Sequence, residues 1–284
     1  MLKNISVIIP VINNPTGVCK ALNSLINQTY HRSCFEIIVV DNGSSDDTLS
    51  IVGRYMRRFP SFIHSIIESE NKGSYAARNA GIRIAKGDLI AFTDSDCIPS
   101  PNWLESGVEA FKLQQYALVA GHIEMFFTNS NPNIWEYYDA SHHLKQESYV
   151  ENYGFGTTAN LFVLKELFDH YGVFLNNLKS GGDYEFCRRL VKAGEKIDYV
   201  NDAIVRHPAR STLRSILIKN KRVAEGQKEL QRLNLLEHNQ LNWKNFIPSK
   251  KVPHLNIKST SLLYQIVLII IKNFLKYHNL IYRL

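Results

Sequence analysis

The chain has 284 residues, 45% of them hydrophobic, a formal charge of +7 and an isoelectric point near 9.1. That is ample for a large core and allows one domain with an appendage or two smaller ones; with no low-complexity tract and no fixed-period repeat, disordered and solenoid classes are excluded. The basic residues thicken over 206–222 but never form an arginine-rich run interleaved with aromatics, so the charge reads as solvated surface and nucleic acid is not expected as a partner. Cys19, Cys34, Cys97 and Cys187 lie far apart without a C-x-x-C, which excludes a zinc knuckle or a disulfide framework and fits buried thiols in a reducing compartment.

The N-terminal "MLKNISVIIP" is too short in apolar residues for a signal peptide and reads as a first strand over 5–10, β-branched and continuous like a buried parallel strand. Val18, Ala21, Leu22 and Leu25 then recur at helical spacing, with Pro15 near the helix start. "FEIIVV" at 35–40 is a second buried strand. After it Gly43 makes a turn, and Ser44, Ser45, Asp46 and Asp47 supply cap and first-turn acids for a helix. "FIHSII" at 62–67 is a third strand, a helix over 74–86 stops at Gly87, and "LIAFT" at 89–93 is a fourth strand. Strand and helix alternating in this way predict an α/β fold, a mostly parallel sheet with right-handed crossovers.

The second half is less regular. "ALVAGHIEMFF" at 117–127 reads as strand, 129–153 as loop and short helix, and 159–174 as strand then helix. A helix over 183–194 ends at Gly194, and 197–207 reads as a pair of short strands.

In such sheets ligands sit beyond the carboxyl ends of the strands. Asp41 follows the second strand, and Asp94 and Asp96 follow the fourth, so all three acids face one crevice. A D-x-D pair on a turn can grip Mg²⁺ or Mn²⁺, which prefer carboxylate oxygen and bridge to diphosphates; it can equally be an Asx turn. "PVINNPTG" after the first strand carries no G-x-G-x-x-G, and no Walker A pattern occurs, which excludes a standard dinucleotide site and a P-loop.

"SVIIPVINN", "IIVVDNGSSDDT", "NKGSYAARNAGI", "AFTDSDCIP", "GGDYEFCRRL" and "VRHP" follow one another in the order found in family 2 glycosyltransferases, and the chain resembles that family over residues 4–225. The resemblance implies a GT-A, Rossmann-like fold: a mixed, mostly parallel sheet flanked by helices. Residues 1–225 would be the catalytic domain, with a nucleotide-sugar half to about 120 and an acceptor half from 121, and 226–284 a helical extension. It implies a metal-dependent, inverting glycosyltransferase that draws on a nucleotide sugar, UDP-sugar first, and a carbohydrate or lipid-linked acceptor, in surface polysaccharide or glycolipid assembly. The missing Q-x-x-R-W of processive synthases implies transfer of single sugars.

By the same resemblance Asp41 hydrogen-bonds the uracil N3–H, Pro10 and Val11 frame the base, and Lys72, Arg78, Asp94 and Ser95 face the nucleotide sugar. Asp96 and His207, with Asp94, hold the divalent metal, and an imidazole ligand favours Mn²⁺ over Mg²⁺. Asp183 falls on the catalytic base. The family pattern has an acid just before the base where this chain has Gly182, which puts acceptor positioning in doubt. Glu185 is a second candidate base, or a first-turn helix acid. "GFGTTAN" lines up with the acceptor loop through Gly156 and Thr157. Gly121 and His122 would lie near the donor sugar, and Trp135, Tyr137, Tyr138, His142 and His143 would form an acceptor surface or simply pack. The alternatives are a nucleotidyltransferase on a similar sheet, or a catalytically silent carbohydrate- or membrane-binding protein of this fold.

In 261–284 the uninterrupted apolar run, Ile266–Ile271, is too short for a membrane span, which needs about 20 residues. Gln265, Lys272, Lys276, Asn279 and Arg283 share one helix face, opposite Leu263, Ile266, Ile270, Phe274, Tyr277 and Ile281. That pattern suits a helix lying in a membrane interface, or one docked on its own domain or on a second subunit in a homo-oligomer. The expected location is cytoplasmic, peripheral on the inner face of the plasma membrane.

Overall fold

The computed structural model describes residues 4–113, 116–142, 144–236 and 262–283. Its elements in chain order are β1 (Ile5–Val11), α1 (Pro15–Ile26), β2 (Phe35–Asp41), α2 (Thr48–Arg58), β3 (Ile63–Ile67), α3 (Ser74–Ile84), β4 (Leu89–Thr93), β5 (Ile98–Pro99) and α4 (Trp103–Glu109). They continue with β6 (Leu118–Phe126), α5 (Ile134–His142), α6 (Gln146–Tyr153), β7 (Asn160–Leu164), α7 (Glu166–Tyr171), α8 (Gly182–Lys192), β8 (Ile197–Pro208), α9 (Leu213–Arg232) and α10 (Leu262–Arg283).

The strands form one 8-stranded mixed sheet in the order β3-β2-β1-β4-β7-β6-β8-β5. β1 is buried along its whole length because it pairs in parallel with β2 on one side and β4 on the other. Burial on both faces requires its apolar sequence, and Ser6, the one polar residue, is satisfied by donating its hydroxyl to Glu36 Oε1 at 2.7 Å. Asn14 caps α1 through its Oδ1, which accepts the Gly17 N–H at 3.0 Å, and Pro15 takes the first turn, where no N–H is needed. α3 lies close on β1 at Gly81, where a Cβ would meet the Ile8 side chain at 2.6 Å. β7 runs antiparallel to both β4 and β6. The Asn160 amide ties the middle of the sheet together: its Oδ1 accepts Trp103 Nε1–H at 2.8 Å and its Nδ2 donates to the carbonyls of His122 and Ala203, each at 2.8 Å.

Two differences from the sequence expectation stand out. The pair of short strands expected over 197–207 is one strand, β8, which runs through the exposed Asn201 and Asp202 without a break and lies between β6 and β5 in the sheet order. One of those neighbours, β5, was not expected: two residues after the D-x-D turn pair Ile98 with Arg206 and Pro99 with Val205.

The described residues fall into two compact units. The first lies within Met1–Glu124, Lys145–Asn177 and Gly182–His207. The second lies within Met125–Leu144, Leu178–Gly181 and Pro208–Leu284. α9 runs unbroken through residue 225. In the second unit α5, α9 and α10 share a buried cluster of Tyr138, Ile216, Leu268 and Leu275, with Trp135 and Ile271 packed on it. Trp135 and Tyr138 are thus packing residues here, and Tyr138 stacks on His142, while His143 lies outside the described residues. Asp139, fully buried, accepts from the Arg210 N–H at 3.0 Å and from its guanidinium at 3.2 Å, and faces Lys219 Nζ at 3.7 Å. Burial pushes the Lys219 ammonium down to about 7.

α10 presents two apolar faces. Leu268, Leu275 and Leu280 are buried, whereas Ile266, Ile270, Phe274 and Ile281, one side of the amphipathic pattern, are 45%, 61%, 52% and 70% exposed. The helix therefore docks on a face that the amphipathic pattern did not single out. The side chains of Leu263, Gln265, Asn279 and Arg283, also part of that pattern, lie outside the description. Leu275→Ala should cost about 2–4 kcal/mol of unfolding free energy, and Ile270→Ala less than about 0.5, in urea denaturation. Equal costs at the two positions would contradict this docking.

Candidate functional site

Every residue of the site belongs to the first unit. β2 ends at Asp41, opposite Val11 of β1, with Pro10 opposite Val40 one step earlier. Asp41 is 1% exposed. Its Oδ1 accepts the N–H groups of Gly43 and Ser44, each at 2.9 Å, in a turn that Gly43 permits with φ 92°. Its Oδ2 is buried and has no partner among the described residues. An unsatisfied buried carboxylate oxygen is costly, and it is suited to accept from an exogenous N–H.

Asn42 braces the next segment. Its Nδ2 donates to the carbonyls of Glu68 and Asn71, both at 2.8 Å, and its Oδ1 accepts the Gly73 N–H at 2.6 Å. Lys72 rides exposed on that segment. α3 follows and carries Arg78, 3% exposed. Arg78 Nη2 donates to Asp94 Oδ1 at 2.5 Å, its guanidinium sits 5.6 Å from the Tyr75 ring centroid, and its buried Nε has no partner among the described residues. Asp94 is thus held by Arg78.

The turn after β4 closes with the Cys97 N–H on the Asp94 carbonyl at 3.1 Å. Ser95 Oγ accepts from Asn14 Nδ2 at 3.2 Å, which ties the turn to the start of α1. β5 then pins the chain against β8, and Asp96 Oδ2 comes 3.8 Å from His207 Nε2. His207 is 5% exposed. Cys97 Sγ joins them: donor atoms of Asp96, Cys97 and His207 all lie within 4.8 Å of one another. Burial, reinforced by the charges of Asp96 and Asp94, holds the Cys97 thiol well above its ordinary range. A carboxylate beside an imidazole is a donor set that suits Mn²⁺ or a similar divalent ion.

Asp183 lies in the first turn of α8 and is half-buried. Burial raises its carboxyl above the ordinary aspartate range; the Arg78 charge, the Tyr184 N–H at 3.0 Å, the Tyr75 hydroxyl at 3.2 Å and a backbone hydrogen bond from Thr158 act against that rise. Glu185 is engaged elsewhere. Both its oxygens accept from Arg189, at 2.8 and 3.1 Å, and that arginine also donates to the carbonyls of Tyr171, Gly172 and Val173. Its helix-acid role is therefore the one the geometry supports.

Gly156 is a close-packing residue: a Cβ there would meet Ala120 Cβ at 2.6 Å. Thr157 is held by Gln146 Oε1, which accepts its N–H at 2.7 Å. Gly121 has a similar packing role against the Ala203 carbonyl, and His122 Nδ1 pairs with the Tyr199 hydroxyl at 2.8 Å. Two residues that the sequence reading did not single out stand in the site, Tyr75 and Cys97. Tyr75 precedes Arg78 by one helical turn and Cys97 adjoins Asp96, so spacing to those neighbours is the signal each offered.

The profile described as Glycosyl transferase family 2 matches residues 6–172. Glycosyltransferase AglE of Haloferax volcanii is 38% identical over 223 residues, 78% of this chain and 72% of AglE. The pre-mycofactocin glycosyltransferase of Mycobacterium tuberculosis is 31% identical over 224 residues, 75% of this chain but 44% of that longer protein. The solved mannosyltransferase PcManGT of Pyrobaculum calidifontis, in complex with GDP-Man and Mn²⁺, superposes with a TM-score of 0.65 at 16% identity, covering 100% of this chain and 72% of its own. S. aureus TarS 1–349 in complex with UDP-GlcNAc superposes with a TM-score of 0.58 at 21% identity, covering 81% and 73%. At these identities the likeness is one of fold, and that fold is GT-A.

Asn42→Ala should free the loop between β3 and α3. Hydrogen–deuterium exchange at the amides of residues 69–74 is expected to rise while that of β1 stays unchanged; unchanged exchange in the loop would show that Asn42 does not brace it.

Proposed function

The chain belongs to glycosyl transferase family 2 and is a glycosyltransferase, and from that premise we propose that it moves one sugar, with inversion, from a UDP-sugar to a hydroxyl of a carbohydrate or lipid-linked acceptor in surface glycan assembly. The observation that carries this reading is the meeting of Asp96 and His207 beside the pair of buried Arg78 and half-buried Asp94 at the carboxyl edge of the sheet. Support for a nucleotide-sugar donor also comes from the neighbours of like fold, solved with GDP-Man and Mn²⁺ and with UDP-GlcNAc.

In this reading residues 1–120 hold the donor. Asp41 Oδ2 accepts the uracil N3–H between Pro10 and Val11, and Arg78, Ser95 and Asp94 face the ribose and diphosphate, with Lys72 at the rim. Asp96 and His207, with Asp94 near, would hold Mn²⁺ or Mg²⁺, which supplies Lewis-acid neutralisation of the departing diphosphate. Residues 121–225 form the acceptor half, with Gly156 and Thr157 on the acceptor loop. Asp183 takes the proton from the acceptor hydroxyl as its oxygen bonds to the anomeric carbon. The bond from that carbon to the phosphate oxygen breaks on the opposite side, and its electron pair leaves with UDP. Burial favours proton uptake by Asp183, and the nearby Arg78 charge keeps the ionised form available.

Calorimetry with UDP, GDP and CMP, each with Mn²⁺ and with EDTA, tests the donor side. UDP alone should bind, and only with the metal; selectivity for GDP would overturn Asp41 as a uracil reader. Asp96→Asn and His207→Ala should abolish metal-dependent UDP binding. Asp183→Asn should keep it and lose about 10²–10⁴-fold in transfer. The reverse pattern would overturn these roles.

The same reading makes α10 a peripheral membrane contact. No helix among the described residues is long and apolar enough to cross a membrane. The exposed stripe of Ile266, Ile270, Phe274 and Ile281, on a helix that also carries Lys272 and Lys276, suits insertion into an anionic interface. Ile270→Gln with Phe274→Gln leaves the docked face intact, as a truncation would not. The full chain should float with phosphatidylglycerol vesicles and this variant should not; equal flotation of the two would remove the membrane role.

A further inference from the structure

We propose that Tyr75 is the residue that positions Asp183, and that position 182 is a glycine because the Tyr75 ring fills the space a side chain there would need. This rests on the reading of Asp183 as the base.

The steric half stands on geometry alone. A Cβ on Gly182 would lie 2.9 Å from Cε2 and from Cζ of Tyr75, contacts that real Cβ atoms essentially never make, and 3.0 Å from Cδ2, which is tight. The ring cannot easily move aside. Tyr75 is 5% exposed, its ring lies 5.7 Å from that of Phe174, and the Arg78 guanidinium covers it at 5.6 Å. Phe174 is itself wedged against Phe92 and Phe186, at 5.5 and 4.7 Å. An acid at position 182, as the family pattern has it, is therefore incompatible with a tyrosine at position 75 in this packing.

The chemical half follows from where the ring puts its hydroxyl. Tyr75 Oη donates to Asp183 Oδ1 at 3.2 Å, and the same oxygen accepts the Tyr184 N–H. Two donors on one oxygen fix the rotation of the carboxylate. Burial pushes the Tyr75 phenol far above its ordinary range, so it stays a donor throughout the working pH range. The groups around Asp183 are Tyr75 and Arg78 from α3, Tyr184, Glu185 and Cys187 from α8, and the Thr158 backbone. Glu185 is neutralised by Arg189, and the Cys187 thiol stays protonated, pushed up to about 12. The Tyr75 hydroxyl is thus the neutral side-chain donor that favours the ionised, proton-accepting form of Asp183. Where the family pattern places an acid next to the base, this chain places a phenol.

Tyr75→Phe keeps the ring and removes only the hydroxyl. The Asp183 carboxyl is to be followed by NMR titration of ¹³C-labelled aspartate, with Asp183→Asn as the assignment reference. A folded-state carboxylate that loses a donor is harder to ionise, so the Asp183 titration should move to higher pH in Tyr75→Phe. The acid limb of kcat/KM, read as UDP release from the UDP-hexose that the wild type turns over fastest, should move with it. kcat should fall on the order of tenfold, while Mn²⁺-dependent UDP binding stays unchanged. An unmoved titration would overturn the proposal. Gly182→Glu should abolish transfer, and Tyr75→Ala in the same chain should restore part of it; full transfer by Gly182→Glu alone would overturn the steric half. Transfer retained by Asp183→Asn would remove the base assignment and the proposal with it. Transfer lost in Asp183→Asn but untouched in Tyr75→Phe would overturn the proposal alone.

Discussion

A guanidinium almost wholly withdrawn from water cannot stand alone, and the site is arranged around that constraint. Arg78 is 3% exposed and anchored at 2.5 Å by Asp94, with the Tyr75 ring along its face and the Asp183 charge within reach. Removing Asp94 would leave this buried cation with the Asp183 charge as its remaining counter-charge, so the arginine would lose its direct hydrogen-bonded partner. The same interaction fixes which acid of the D-x-D turn remains for other work. With Asp94 engaged by Arg78, Asp96 is the one that reaches His207. One ion pair thus divides two chemically identical side chains into an anchor and a candidate ligand.

The nucleotide-side half of the fold was legible because it obeys a simple pattern. β4 occupies 89–93 as its apolar run predicts, and β1 and β2 follow theirs to within a residue, since strands buried on both faces read as nearly continuous apolar runs. Asp41, Asp94 and Asp96 could be placed on one edge for the same reason. The long α9, crossing residue 225 without a break, and the unbroken β8 were not legible. Asn201 and Asp202 read locally as a break between two strands, and nothing in the sequence around them signals that the strand continues. In α10 the periodicity was real, but a helix with two apolar stripes gives one pattern for two different surfaces.

What the sequence could not convey at all is the pairing of positions 75 and 182. Gly182 registers in one dimension only as a departure from a family pattern, a loss. In three dimensions it is half of an exchange with a residue 108 positions from its neighbour Asp183. Local propensity says nothing of such an exchange, because each partner is unremarkable in its own helix: a tyrosine one turn before an arginine, and a glycine at the start of α8.

The short strand β5 has a consequence for how this chain tolerates change. His207 meets Asp96 because Ile98 and Pro99 read the register of β8 directly against Arg206 and Val205. Side chains alternate along a strand, so a single-residue insertion or deletion between Ile197 and Val205 would turn His207 to the other face and bring Arg206 or Pro208 round in its place. The same slip would turn the buried Ala203 and Val205 out of the core along with His207, which makes β8 a segment in which length is under stricter constraint than composition.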